Sequence, residues 1–170
     1  MKVSPVPYLI RTLQDEADAQ RIVDFYFSGD SFDDSRHTPG EISHYRNNPF
    51  QCLREPEDGI YYWFIENDRG EIIAVNSLVE NEQKTGGYVW DYITVHKHYR
   101  EGGIASTLID TMLDFIRLKK GRYVLTYTCD LNEYQPIQRL FRKKGFQQIA
   151  YCPDYYFEGE SRIVYYRKIE

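Results

Sequence analysis

Apolar residues follow two different rhythms on either side of a short polar turn in the stretch Trp90 to Leu118 (WDYITVHKHYREGGIASTLIDTMLDFIRL). Trp90 to Val95 is a compact block rich in aromatic and β-branched residues, which predicts a strand. From Ile104 onward the apolar positions return every three to four residues. Ile104, Leu108, Met112 and Ile116 stand at i+4 steps with Ala105, Ile109 and Leu113 beside them, the stripe of an amphipathic helix. Arg117, Lys119 and Lys120 gather where that helix ends, and Gly121 is the expected left-handed stop. Between strand and helix, Gly102 and Gly103 allow a tight turn and a close backbone approach. The first helix amides have no partner within the helix, and such an end attracts phosphate.

The same reading extends along the rest of the chain. Tyr8–Leu13 predicts a first strand, and Asp15–Phe27 a helix carrying Ile22, Val23, Tyr26 and Phe27. Ser28–Gly40 has loop composition, and Glu41–Asn48 predicts a short helix that stops before Pro49. Tyr61–Glu66, Glu71–Val79 and Tyr88–Val95 are strand-like, separated by the turns Asn67–Gly70 and Thr85–Gly87, so they predict an antiparallel meander. The helix after Val95 then crosses to a strand at Tyr123–Thr128. A second helix is expected with Pro136 as its first position, Gln135 held extended before it, and a stop at Gly145. Strands near Phe146–Tyr151 and Ile163–Lys168 close the chain. With no linker or repeat, residues 1–170 read as a single domain.

Composition narrows the partners rather than the fold. A net charge of -5 argues against a general nucleic-acid role and leaves cationic or amine ligands unrepelled. Cys52, Cys129 and Cys152 are odd in number and widely spaced, without a Cys/His cluster, which fits a reduced protein with no structural metal. The first residues reach charges too soon for a signal peptide and no apolar run approaches a membrane span, so a soluble cytoplasmic protein is expected. Sixteen tyrosines point to a core or pocket of rings with polar tips.

Arg100-Glu101-Gly102-Gly103-Ile104-Ala105, set between a strand and an amphipathic helix, resembles the Gln/Arg-x-x-Gly-x-Gly/Ala signature of the GNAT family of N-acetyltransferases. Leu140-Phe141-Arg142-Lys143-Lys144-Gly145-Phe146, some forty residues on, looks like that family's second signature. The likeness covers nearly the whole chain, since the element order β-α-α-β-β-β-α-β-α-β-β is also the family's. It implies a mixed α/β fold, with a largely antiparallel twisted sheet of about seven strands flanked by about four helices.

The resemblance also implies roles. Backbone amides from Arg100 through Glu101, Gly102, Gly103, Ile104 and Ala105 would cradle the pyrophosphate of acetyl-CoA, the cosubstrate, with the Glu101 carboxylate facing solvent. Ile93, Thr94 and Val95 would lie beside the pantetheine arm and thioester, where the strand splays from its neighbour. Asp91 falls where relatives often carry a base that deprotonates the acceptor ammonium. Asp is shorter than the more usual Glu, so a relay through water is expected. Relatives often protonate the leaving thiolate with a tyrosine of the second signature, but Phe141 holds that position and has no proton to give. Tyr134, Tyr127 or water are then the candidates, unless the thiolate leaves without a donor, and Phe141 is expected to pack near the cofactor. Asn132 is the nearest asparagine to a cofactor-contacting position of the family.

Together these readings imply an N-acetyltransferase in which a primary amine attacks the thioester directly, without a metal. A catalytically degenerate acyl-CoA-binding regulatory protein is the alternative, kept open by Phe141. The acceptor is a small-molecule or peptide amine. Tyr151, Tyr155 and Tyr156 with Asp154, Glu158 and Glu160, like Tyr61 and Tyr62 with Asp30, Asp33 and Asp34, would suit a cationic one. Neither nucleic acid nor membrane is an expected partner, and the chain is expected as a monomer or homodimer.

Overall fold

The computed structural model of the protein describes residues 8–33 and 36–170. Residues 1–7, read above as free of a signal peptide, and 34–35, in the expected loop and its acidic cluster, lie outside the described residues. The chain runs β1 (Ile10–Thr12), α1 (Glu16–Tyr26), α2 (Pro39–Arg54), β2 (Ile60–Glu66), β3 (Ile72–Glu80), β4 (Gly87–Val95), α3 (Ile104–Leu118), β5 (Tyr123–Cys129), α4 (Gln135–Lys143), β6 (Gln147–Phe157) and β7 (Glu160–Lys168). The seven strands form one sheet in the order β1-β2-β3-β4-β5-β7-β6. β4 and β5 run parallel, while β1–β2, β2–β3, β5–β7 and β6–β7 are antiparallel. This is the expected mixed sheet with four helices. No helix among the described residues is long and apolar enough to cross a membrane.

Contacts divide the chain into two compact units, one comprising the residues up to Val79 with Tyr92–Met112, the other Glu80–Asp91 with Leu113–Glu170. In the first, Ile22, Phe25, Tyr26, Tyr45, Ile60, Tyr62, Phe64, Ile72 and Val75 form a buried cluster. Helix α1 starts cleanly because the Asp15 side chain accepts from the Asp18 amide at 2.8 Å. Helix α2 begins with a reciprocal cap, in which the Thr38 hydroxyl accepts from the Glu41 amide and Glu41 accepts from the Thr38 amide. Pro49 does not stop this helix, as the sequence led us to expect, but lies buried inside it. The missing N–H and crowded turn cost stability, which packing offsets. Tyr45 is 1% exposed, and the buried Asn48 amide donates to the Tyr62 hydroxyl at 2.7 Å. Trp63, on β2, is also buried.

The second unit is built on a ring cluster. Trp90 meets the Phe141 ring edge-on at 5.1 Å, and Phe141 meets Tyr165 at 5.2 Å. Two local expectations change here. Lys120, not Gly121, takes the left-handed conformation after α3 (φ 56°), with the Lys120 amide donating to Arg117 and the Gly121 amide to Ile116. Gly121 is required for space: a Cβ there would collide with Ile116 and approach Tyr88 to 2.9 Å. Gln135 is helical (φ -58°, ψ -38°) despite preceding Pro136, because the 3-10 turn Asn132–Tyr134 already carries the chain into α4. The helical region before a proline is disfavoured, not forbidden.

Candidate functional site

The turn that joins β4 to α3 is shaped by two left-handed residues, Glu101 (φ 67°) and Gly103 (φ 81°). The glycine pair expected to do this contributes only its second member, and Glu101 supplies the other bend at a cost that glycine would avoid. Its side chain is exposed, as expected for a carboxylate beside an anion site. The first α3 bond runs from the Thr107 amide to the Gly103 carbonyl at 3.0 Å. Among the described residues nothing accepts from the backbone amides of Glu101 through Ser106. A row of unpartnered donors at the positive end of a fifteen-residue helix is chemistry that favours a negative charge.

The basic side chains nearby are otherwise engaged. Arg100 donates from Nη1 to both Asp33 carboxylate oxygens at 2.7 Å, from Nη2 to the Ser31 carbonyl at 2.9 Å and from Nε to the Val95 carbonyl at 3.0 Å. Its guanidinium therefore braces the end of β4, which leaves its backbone for a ligand. Lys97 Nζ donates to the Gly29 carbonyl at 2.8 Å, and His96 Nδ1 accepts from the His98 amide at 3.1 Å. Thr94 is buried and donates to the Ser31 carbonyl at 2.7 Å, Val95 is buried, and Ile93 is half-buried. Strand β4 thus offers backbone rather than side chains.

In the second unit the paired register of β4 and β5 runs from Gly87↔Tyr123 to Val89↔Leu125, although both strands continue. Beyond it the Trp90 carbonyl accepts from the Thr126 hydroxyl at 3.1 Å. Extending the register sets Asp91 level with Tyr127, and the β5–β7 register sets Tyr127 against Val164 and Cys129 against Arg162. Because side chains alternate along strands, Asp91, Tyr127 and Arg162 share one face, while Trp90 and Tyr165 pack with Phe141 on the other. Burial, and then the charge of Asp91, push the Tyr127 phenol above its ordinary value against the opposing pull of Arg162. Tyr127 therefore stays protonated at neutral pH.

Sequence reasoning missed Arg162. Its guanidinium carbon lies 3.5 Å from the Tyr127 ring centroid and 4.2 Å from that of Tyr155, with Tyr156 at 5.7 Å. The tyrosines read as a cradle for an external cation already hold one of the chain's own. Burial pulls the guanidinium pKa down, but the neighbouring phenols outweigh it and leave the value raised. The available signal was the alternation of β7, where Ile163 and Tyr165 are buried and Arg162 falls on the opposite side. Tyr62 belongs to the core of the first unit, and Tyr61 stacks on Trp63 at 6.5 Å.

The remaining expected residues lie around the start of α4. Asn132 is exposed and its side-chain oxygen accepts from Gln135 Nε2 at 3.3 Å, while Tyr134 is half-buried at the helix entrance. Phe141, 3% exposed, is a core ring.

A sequence profile described as the acetyltransferase (GNAT) family matches residues 19–146, well over half of the chain. The chain belongs to the GNAT family. No curated protein matches it. Among solved structures, a protein assigned as a GNAT acetyltransferase from Desulfovibrio desulfuricans superposes with a TM-score of 0.83 at 20% identity, covering 96% of this chain and 99% of that one. A ribosomal-protein-alanine N-acetyltransferase from Brucella melitensis gives 0.74 at 17% identity, over 94% and 99%. An acetyltransferase of the GNAT family from Staphylococcus aureus gives 0.73 at 14%, over 96% and 99%. At these identities the likeness is one of fold. GNAT enzymes draw their acetyl group from acetyl-CoA, and the free amides of Glu101–Ser106 fit the pyrophosphate of such a ligand.

Proposed function

We propose that the protein is an acetyl-CoA-dependent N-acetyltransferase that acetylates a primary amine by direct attack on the thioester. The observation that carries this reading is the row of unpartnered amides from Glu101 to Ser106, opening α3 inside the family signature. These amides hold the pyrophosphate, and the β4 backbone from Ile93 to Val95 runs along the pantetheine arm. A backbone N–H there donates to the carbonyl oxygen as negative charge builds on it.

Asp91 acts as the base through a water, taking one proton from the acceptor ammonium. The amine nitrogen then bonds to the acyl carbon as the carbon–sulfur bond breaks; of the two protons left on nitrogen, one stays on the product amide and the other ends on the thiolate. Two phenols compete to deliver that last proton. Tyr134 sits half-buried at the entrance to α4, and Tyr127 shares the face of Asp91 and is held neutral by burial. Bound acetyl-CoA supplies the activated acyl group, and positioning supplies much of the rate.

Release of coenzyme A thiol from acetyl-CoA, measured across a panel of amines, tests the proposal. Amine-dependent release that falls in Asp91→Asn is the expected result. A second reading, a regulatory protein that binds acyl-CoA without turnover, has one observation in its favour: Phe141 is a buried ring with no proton to donate. Tight acetyl-CoA binding with no thiol release from any amine would select it.

A further inference from the structure

Most arginines of this chain that sit near carboxylates pair with them: Arg54 with Glu16 and Arg117 with Asp114 at 2.7 Å, Arg11 with Glu66 at 2.9 Å. Arg162 is different. It is half-buried on β7, it stacks on the rings of Tyr127, Tyr155 and Tyr156 and hydrogen-bonds to the Tyr127 and Tyr156 phenols, and no carboxylate pairs with it among the described residues. Its Nε is buried and meets no acceptor among those residues. Partial burial of a cation without a counter-charge is costly, and stacking on phenol rings recovers only part of that cost. The rings also restrict the side chain, so little freedom is lost when the fork binds something further.

A planar fork fixed in this way matches a carboxylate, which accepts two parallel N–H bonds and supplies the missing charge. Its location adds the second half of the argument. Arg162 shares a sheet face with Asp91, two strands away across β5 and two residues further along, or roughly 12 Å between backbones by sheet spacings. Tyr127 stands in the strand between them, with its ring against the guanidinium.

We propose that Arg162 is a specificity-determining residue that receives a carboxylate of the acceptor, so that the substrate class is an amine that also bears a carboxylate. The ammonium end meets Asp91 and the anionic end meets the Arg162 fork, over the Tyr127 ring. The same arrangement rejects polyamines, whose second ammonium would face a like charge. This inference rests on Asp91 marking the amine end of the acceptor, as proposed above.

Calorimetric binding to the full chain saturated with coenzyme A tests it. The probes are glycine, 4-aminobutanoate and 6-aminohexanoate, each against its own carboxamide, with wild type, Arg162→Gln and Arg162→Lys. At least one amino acid should bind the wild type about 10- to 100-fold more tightly than its carboxamide, as expected of a charged hydrogen-bond pair. Arg162→Gln should bring that ratio to about one with coenzyme A affinity unchanged, and Arg162→Lys should retain part of it. A purely structural role would alter stability without moving the ratio. Ratios near one for all wild-type pairs, or a ratio that survives in Arg162→Gln, would overturn the proposal. Thiol release from acetyl-CoA with the same probes reads the transferase proposal separately. Carboxylate preference in binding without release would sink the transferase reading alone, and release indifferent to the carboxylate would sink the Arg162 assignment alone.

Discussion

Glu101 combines two separable penalties at one position, and substitutions there divide them. Its φ of 67° is a conformation glycine adopts freely and a residue with a Cβ does not. Relieving it is worth about 1 kcal/mol net of the extra freedom glycine gives the unfolded chain. For a chain of this size that corresponds to a rise in Tm of about 2–4 °C. The second penalty is charge. The exposed carboxylate sits within the row of amides proposed to meet two phosphates, and at such short range through solvent its removal should tighten acetyl-CoA binding about 3- to 10-fold at low salt, less as ionic strength rises. Glu101→Gly should therefore raise Tm and lower the KM for acetyl-CoA. Glu101→Ala should lower KM equally, with Tm near that of the wild type. Differential scanning calorimetry and initial rates at two salt concentrations read both effects. Equal melting points for the Gly and Ala variants would refute the backbone argument. An unchanged KM in both at low salt would remove the phosphates from this turn.

Asp91→Asn should lower kcat by about 100-fold or more and remove one ionisation from the pH profile of kcat/KM; an unaltered profile would point to a different base. Tyr127→Phe and Tyr134→Phe should separate the two candidate donors: the variant that lowers kcat while leaving the KM for acetyl-CoA unchanged identifies the one that serves the thiolate, and full activity in both assigns the proton to water. Acid should unfold the protein through Asp130 and Glu66. The Ser161 amide, at 2.8 Å, and then the Tyr151 hydroxyl hold the Asp130 pKa down against burial. At Glu66 burial pushes the value up, but hydrogen bonds and charge from Arg21 and Arg11 prevail and lower it. Both groups release their protons more readily folded than unfolded, so their stabilisation is complete above the ordinary carboxylate pKa of about 4 and is lost as pH falls below it. Thermal melts from pH 7 to pH 3 should show that decline, and Asp130→Asn should make it shallower; parallel curves for the two proteins would contradict this assignment.

Where periodicity and burial act together, the sequence was readable. Ile104, Leu108, Met112 and Ile116 announce α3 because each faces the core, and all four are at most 4% exposed. Local residue chemistry misled wherever tertiary packing overrode it. Pro49 reads as a stop, yet Tyr45 and Asn48 on the same helix bury enough to carry it through. Gly121 reads as the residue that bends, yet it is there because Ile116 and Tyr88 leave no room for a side chain. The anion turn was legible from Gly102 and Gly103, but the left-handed backbone of Glu101 was not, since nothing in a Glu announces it. Arg162 was invisible for a related reason. Its meaning depends on which rings the sheet register brings to its face, and Tyr127 and Tyr155 are far from adjacent to it along the β5–β6–β7 chain.

The two tryptophans of this chain fall one to each compact unit, Trp63 on β2 in the first and Trp90 on β4 in the second. Nature has thereby supplied an optical label for each half. Trp63→Phe leaves emission that reports only the surroundings of Trp90, and Trp90→Phe leaves only those of Trp63. Denaturation curves from the pair reveal whether the halves melt as one, because coincident midpoints mark a single cooperative transition. Trp90 packs against Phe141 and Phe146, so the fluorescence of the Trp63→Phe protein reports on the ring cluster that holds the second unit together.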